Sequence, residues 1–160
     1  MSTTKTILIV PNPILRKKSK EVNLTKINSK KFKSLCSAMV KTIKKVEGAG
    51  LAAPQIGENI RLIIINTKDG ALLLINPKIT KKSWAREWGQ EGCLSVPNIY
   101  GKVLRYEKVT CLYYNQSGKK IKLIGRGLMA RVIQHEIDHL DGILFIDKAK
   151  EIKKQINSDF

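Results

Sequence analysis

The only two histidines of this 160-residue chain, His135 and His139, lie four positions apart, and Glu136 directly follows the first. On a helix, positions i and i+4 share a face, so both imidazoles can close on a single metal ion while Glu136 reaches in beside them. A carboxylate in that place can move protons during a metal-assisted hydrolysis. Two ligands do not hold a catalytic metal tightly, so a third must come from elsewhere in the chain.

The surrounding residues predict the helix. Stepping about 100° per residue from Leu128 aligns Leu128, Val132, His135 and His139 in one row, with Met129, Ile133, Glu136 and Leu140 in the next. Arg131, Gln134, Asp138 and Asp141 form the opposite stripe, which is solvated or hydrogen-bonding, and Gly142 follows as the stop. Histidines on an apolar face can be ordinary core groups. With a glutamate between them on a patterned helix, metal binding is the stronger reading.

The third ligand has to be a thiolate or carboxylate, since no third histidine exists. Cys36 falls in an apolar stripe with Phe32, Leu35, Met39, Val40, Ile43 and Val46 at helical spacing, and Cys111 alternates with Val109 and Tyr113 on one sheet face. Both patterns assign those cysteines to packing. Cys93, set between Gly92 and Leu94, is the best candidate. A Cys-His-His set leaves a fourth position for water, the layout of a catalytic site.

The elements that must position these groups can be read in outline. A helix starts near Ser29 and stops by Gly48. Residues 48–57 are small and cannot form a core; taken alone they read as a connection, with Gln55 the one side chain that both donates and accepts. Residues 62–65 and 71–75 form a hairpin across Asp69-Gly70, which Asn76-Pro77 ends. Residues 78–88 are expected to be a polar, exposed strand pairing with residues 90–97. Further strands are expected around Val103 and Arg105, over 109–114 and over 121–124, the last two joined across residues 115–118.

Residues 7–22, interrupted by Pro11 and Pro13, read as an arm laid over the domain. The tail from Lys148 to Phe160 is expected to form a short polar helix. The fold class is therefore α+β, a single domain over residues 1–160. Mainly antiparallel strands pack around a C-terminal metal-binding helix, with one earlier amphipathic helix.

Composition excludes a disordered chain: 42% of the residues are hydrophobic and 27% charged. The formal charge of +17 comes mostly from scattered lysines, without the arginine clusters and interleaved aromatics of a nucleic-acid reader. Specific nucleic-acid binding is not expected. The odd cysteine count points to a reducing compartment, and no run is long enough for a signal core or a membrane span, so a cytoplasmic location is expected.

Three blocks, Gly48-Ala49-Gly50-Leu51-Ala52-Ala53-Pro54-Gln55, Glu91-Gly92-Cys93-Leu94-Ser95 and His135-Glu136-Ile137-Asp138-His139, resemble in order the three signature motifs of the peptide deformylase family. The resemblance extends over nearly the whole chain to about Lys148. It implies a hydrolase that removes the formyl group from the N-terminal formyl-methionine of newly made proteins. Cys93, His135 and His139 would hold one divalent ion, Fe(II) first, with Ni, Co or Zn able to substitute. Glu136 would serve as general base and acid, and the Gln55 amide and Leu94 backbone N–H would stabilise the oxyanion.

The substrate surface implied is apolar beside Leu128 and Val132, with the backbones at Gly48, Gly50, Glu91 and Gly92 free to pair with an extended peptide. Glu91 and Arg105 would brace the site; considered alone they could equally be a surface ion pair worth at most about 1 kcal/mol. Gly89 stands where the family often has an aliphatic residue, which implies a wider or more mobile pocket rim. Many members carry a longer basic C-terminal helix that docks on the ribosome. This sequence does not match it there, so a weak association with the ribosome is the most that its charge implies.

Two other classes compete. A metallopeptidase would take its third ligand downstream of the helix, where only Asp147 and Glu151 are available. A basic RNA-associated module with a structural metal would require a fourth ligand, and the sequence offers no convincing one.

Overall fold

Ser29 starts the first helix as predicted: its hydroxyl accepts from the Phe32 backbone N–H at 3.2 Å, and α1 spans Lys30–Lys45. The computed structural model describes residues 3–155. Eight strands and a second helix follow α1. They are β1 (Gly50–Ala52), β2 (Leu62–Thr67), β3 (Gly70–Lys82), β4 (Arg86–Cys93), β5 (Val96–Tyr106), β6 (Lys108–Tyr114), β7 (Lys120–Arg126), α2 (Gly127–Leu140) and β8 (Lys150–Lys154).

All strand pairs are antiparallel, in one sheet of order β1-β2-β3-β6-β7 and another of order β4-β5-β8. The continuous apolar run of β2 has a simple cause, because the five-stranded sheet is covered on both faces. Leu62 and Ile64 pack toward Met39 and Ile43 of α1, whereas Ile63 and Ile65 pack toward Ala130, Ile133 and Ile137 of α2. A third core of Leu15, Val96, Val103, Leu144 and Phe145 ties the N-terminal arm to the second sheet.

The arm lies where the sequence placed it. Leu8 N–H donates to Gln55 O at 2.7 Å, Val10 N–H to Ser95 O at 2.9 Å and Ser19 N–H to Leu140 O at 2.7 Å. The β2–β3 hairpin also forms across Asp69-Gly70.

Two expectations are corrected. Asn76-Pro77 does not end the hairpin, since β3 continues to Lys82. A register shift against β6 between Ile75 and Lys78, with Asn76 at φ 51°, absorbs the proline that cannot donate to the ladder. Asn76 is fixed there by Val22, whose N–H donates to Oδ1 at 2.8 Å and whose carbonyl accepts from Nδ2 at 3.0 Å. The expected strand over 78–88 is consequently divided between β3 and β4. The tail is not helical over residues 150–154 but adds β8 to the edge of β5, with Lys102 paired to Glu151 at 2.8 Å. So short a polar helix would bury nothing, whereas pairing satisfies an open strand edge. Residues 156–160 of the predicted tail lie outside the described residues. Among the described residues no helix is long and apolar enough to cross a membrane.

Candidate metal centre

Helix α2 brings His135 and His139 to one face with ring centroids 5.1 Å apart, and Gly142 follows its end at φ 74°. Phe145 stacks beside His135. Cys93 is the last residue of β4. The pairing shifts register between Gly92 and Cys93, and a Cβ at Gly92 would come 2.8 Å from the Tyr100 ring, so the strand bends where only glycine fits. The bend delivers the Cys93 thiol to α2, with Sγ 3.2 Å from His139 Nε2.

One donor atom from each of Cys93, His135 and His139 lies within 4.8 Å of the others. Metal–sulfur and metal–nitrogen bonds of about 2.3 and 2.0 Å require donor separations of this order around one ion. Sulfur also receives hydrogen bonds, from Ser95 N–H at 3.4 Å and from Gln55 Nε2 at 3.7 Å.

The two imidazoles are shifted in opposite directions by their surroundings. Burial opposes a charged His135, but contacts with Cys93 and Glu91 outweigh it and raise the pKa to about 10. His139 is the opposite case: burial and the nearby His135 hold it down to about 3, so it is a neutral imidazole. Glu91 Oε2 lies 2.9 Å from His135 Nδ1. Despite burial, bonds from His135 and Arg105 lower the Glu91 pKa to about 2, so this carboxylate only accepts. Nδ1 therefore carries a proton, and Nε2 is the nitrogen turned to the metal position. The residues present fit a divalent cation.

Glu91 is the hub of a buried network. Arg105 grips it with Nε at 2.9 Å and Nη2 at 3.0 Å, Arg131 Nη1 donates at 2.9 Å, and Arg105 Nη1 continues to Asp138 at 2.6 Å. The side chains of Glu91 and Arg105 are each 4% exposed. A surface ion pair is thereby excluded.

Glu136 is buried, and its Oε2 has no hydrogen-bond partner among the described residues. Burial raises its pKa to about 7, against the pull of His135. Gly50 makes room for it, since a Cβ there would collide with the Glu136 carboxylate. Gln55, on a 3-10 turn over Ala53–Ile56, is oriented by Ala52: that N–H donates to Oε1 at 2.8 Å, leaving Nε2 to face Cys93 and Ser95.

Every residue predicted to bind metal, act in catalysis or contact substrate, except His139, which is buried in the metal cluster, lines one pocket of about 210 Å³; Arg105 lies behind it, against Glu91. Leu128 is an exposed part of its lining, which Val132, Gly48, Leu94 and Gly92 share. A larger groove of about 830 Å³ on the far side of α2, bordered by Arg61, Tyr106 and Asp138, contains neither the thiol nor the histidines.

At Gly89, where a wider or more mobile rim is expected, Arg131 takes the space that a side chain would fill. Arg131, Ser95 and Asp138 were not anticipated in the site. The sequence pattern groups Arg131 by its polarity with the stripe opposite the histidines, yet it stands one helical turn ahead of His135, and that spacing is the signal for its place in the site. The metallopeptidase reading loses its ligands: Asp147 is bound to Arg16, and Glu151 to Lys102.

A thiol and two imidazoles around one point, with a buried carboxylate on the same helix directly after the first histidine, on an α+β scaffold, define a mononuclear metal hydrolase. The chain belongs to the polypeptide deformylase family, whose model matches residues 4–155. It is 46% identical over 149 residues to a peptide deformylase of Halothermothrix orenii, covering 92% of this chain and 94% of that protein. It is also 46% identical over 147 residues to one of Symbiobacterium thermophilum, covering 89% of this chain and 65% of that longer protein.

Among solved structures, the Met-Ala-Ser-bound class I type b peptide deformylase of Acinetobacter baumannii superposes with a TM-score of 0.88 at 34% identity, covering 92% of this chain and 99% of that one. The enzyme of Thermotoga maritima gives 0.87 at 35% identity, covering 92% and 98%. The activity is accordingly removal of the N-terminal formyl group from nascent polypeptides, a step of N-terminal processing in protein biosynthesis.

Proposed function

We propose that Cys93, His135 and His139 hold one divalent ion, Fe(II) in the active enzyme, and that Glu136 is the proton carrier of the reaction. When bound, such an ion acidifies water and polarises a carbonyl oxygen. The choice of Fe(II) follows the resemblance to peptide deformylases, although donor affinity alone ranks zinc above it. Nickel or cobalt would serve as working substitutes.

The observation that carries the reading is the buried Oε2 of Glu136, without a hydrogen-bond partner among the described residues and electrostatically coupled to His135. With its pKa lifted to about 7, the carboxylate can take a proton from the attacking water and return it to the departing amine near neutral pH. The C–N bond breaks, releasing formate and a free methionine amino group. Negative charge develops on the formyl oxygen, and two donors are assigned to it, Gln55 Nε2 and the Leu94 backbone N–H. Each well-placed donor lowers the barrier by roughly 3 kcal/mol.

The methionine side chain enters beside Leu128 and Val132. The peptide backbone lies extended between Gly48-Gly50 on one side and Glu91-Gly92 on the other, as an added strand. A weak electrostatic attraction to the ribosome is consistent with the charge of +17, and a cytoplasmic location with three free thiols.

The test is formate release from formyl-Met-Ala-Ser by protein prepared without oxygen and loaded with Fe(II) or Ni(II), beside Glu136→Ala. Rapid release that the variant loses while still binding metal is the expected result. Folded, metal-loaded protein that releases no formate would refute the reading.

A further inference from the structure

Gly89 and Arg131 compete for one space. A Cβ at Gly89 in β4 would stand 2.6 Å from Cζ and Nη2 of Arg131 and 2.8 Å from Nε, all well inside van der Waals contact. The guanidinium is not free to yield. Nη1 donates to Glu91 Oε1 and to Val103 O, each at 2.9 Å, and more weakly to Gly89 O at 3.4 Å, while Nη2 donates to Glu87 O at 2.9 Å. Moving it breaks several charge-assisted bonds at once. A side chain at position 89 and an arginine in this seat therefore exclude each other.

Arg131 also borders the 210 Å³ pocket, next to Leu128 and Val132. We propose that Gly89 and Arg131 together set the depth of the pocket for the substrate's first side chain, the arginine closing it against β4 in the space the glycine leaves. The proposal rests on the reading that this pocket receives the methionine side chain. It makes Arg131 a specificity-determining residue and not a catalytic one. Glu91 keeps its two-bond grip from Arg105 and its contact with His135 when Arg131 is removed, so the metal ligands stay oriented. Hydrocarbon thus faces the substrate from Leu128 and Val132, whereas the end of the pocket is a tethered arginine that cannot retreat.

The test uses Arg131→Ala, Gly89→Val and the double variant, with binding and turnover read separately. Calorimetry compares the product peptide Met-Ala-Ser with an analogue whose first side chain is a linear six-carbon chain, and formate release is measured on the formylated form of each. Opening the end of the pocket in Arg131→Ala should improve the long side chain relative to methionine about tenfold, the worth of one or two buried methylenes. Gly89→Val should drive the arginine out of its seat and raise KM for the formyl-methionine peptide about tenfold. In the double variant the valine fills the space that the arginine vacated, so most of that loss should return.

Losses that simply add in the double variant, or a length preference unchanged in Arg131→Ala, would overturn the proposal. Arg131→Ala only removes atoms, so it decides the matter even if Gly89→Val does not fold. Wild-type protein that releases no formate, but whose peptide binding changes with side-chain length as described, would refute the deformylase mechanism and leave the pocket assignment standing.

Discussion

Glu91 Oε2 sits 2.9 Å from Nδ1 of His135, with both groups largely removed from water. The carboxylate fixes the proton of the ring on one nitrogen and turns the other toward Cys93 and His139, so the ligand is oriented from behind.

Replacing Glu91 with Gln should therefore weaken metal binding about 10–100-fold, the usual effect of losing a partner behind a histidine ligand. It would also leave Arg105, itself buried, with Asp138 as its one charged partner among the described residues, so the melting temperature should fall. Competition with a chelator measures the first effect and thermal unfolding the second. Unchanged metal affinity would mean that stacking on Phe145 is enough to hold the ring.

Gly50 offers a test of how closely Glu136 must be placed. A methyl group there meets the carboxylate directly, so Gly50→Ala should push it away from the metal position while leaving the three ligands untouched. We expect kcat to fall on the order of 100-fold, as for an ångström-scale misplacement of a reacting group, with metal content unchanged. Full activity would place the working position of Glu136 elsewhere.

Cys36 and Cys111 are buried in the cores, and burial raises each thiol from 9.0 to about 11. Since the folded pKa lies above the unfolded one, the stability they contribute is complete below pH 9 and is lost as pH rises toward 11. By linkage this reaches up to about 3 kcal/mol for each thiol. Denaturant unfolding over pH 8–11 should show a steeper decline for the native chain than for Cys36→Ala/Cys111→Ala. At pH 8 an alkylating reagent should modify metal-free folded protein once, at the less deeply buried Cys93.

Strand β8 is exposed along its whole length and contributes mainly by covering the edge of β5. Deleting residues 150–160 should cost only about 1–2 kcal/mol in lost cross-strand pairs. It should nonetheless promote concentration-dependent self-association, visible by sedimentation, because an uncovered edge pairs with other chains. A truncated protein that remains monomeric at all concentrations would count against that role.

The chemistry was legible because it is local. His135, Glu136 and His139 lie within little more than one helical turn, so the helical period alone sets their relation, and the apolar stripes of Cys36 and Cys111 left Cys93 as the third donor. Ser29, Asp69-Gly70 and Gly142 marked ends and turns because their preferences act within a few residues.

Other features depended on which segments meet in three dimensions. Pro77 was expected to end a strand, but a bulge anchored on distant Val22 carries β3 past it. The lysine-rich tail was expected to be helical, but an open edge on β5 recruits residues 150–154 as a strand. Glu91 and Arg105 could have been a surface pair; only the closing of β4 on α2 buries them, converting two exposed charges into the support of a metal ligand. The same closure lays Arg131 over Gly89, residues 42 positions apart. Periodicity tells which face a residue belongs to, while the identity of the opposing face, and with it the burial, pairing and pKa of each charge, is decided only when the sheets and α2 pack.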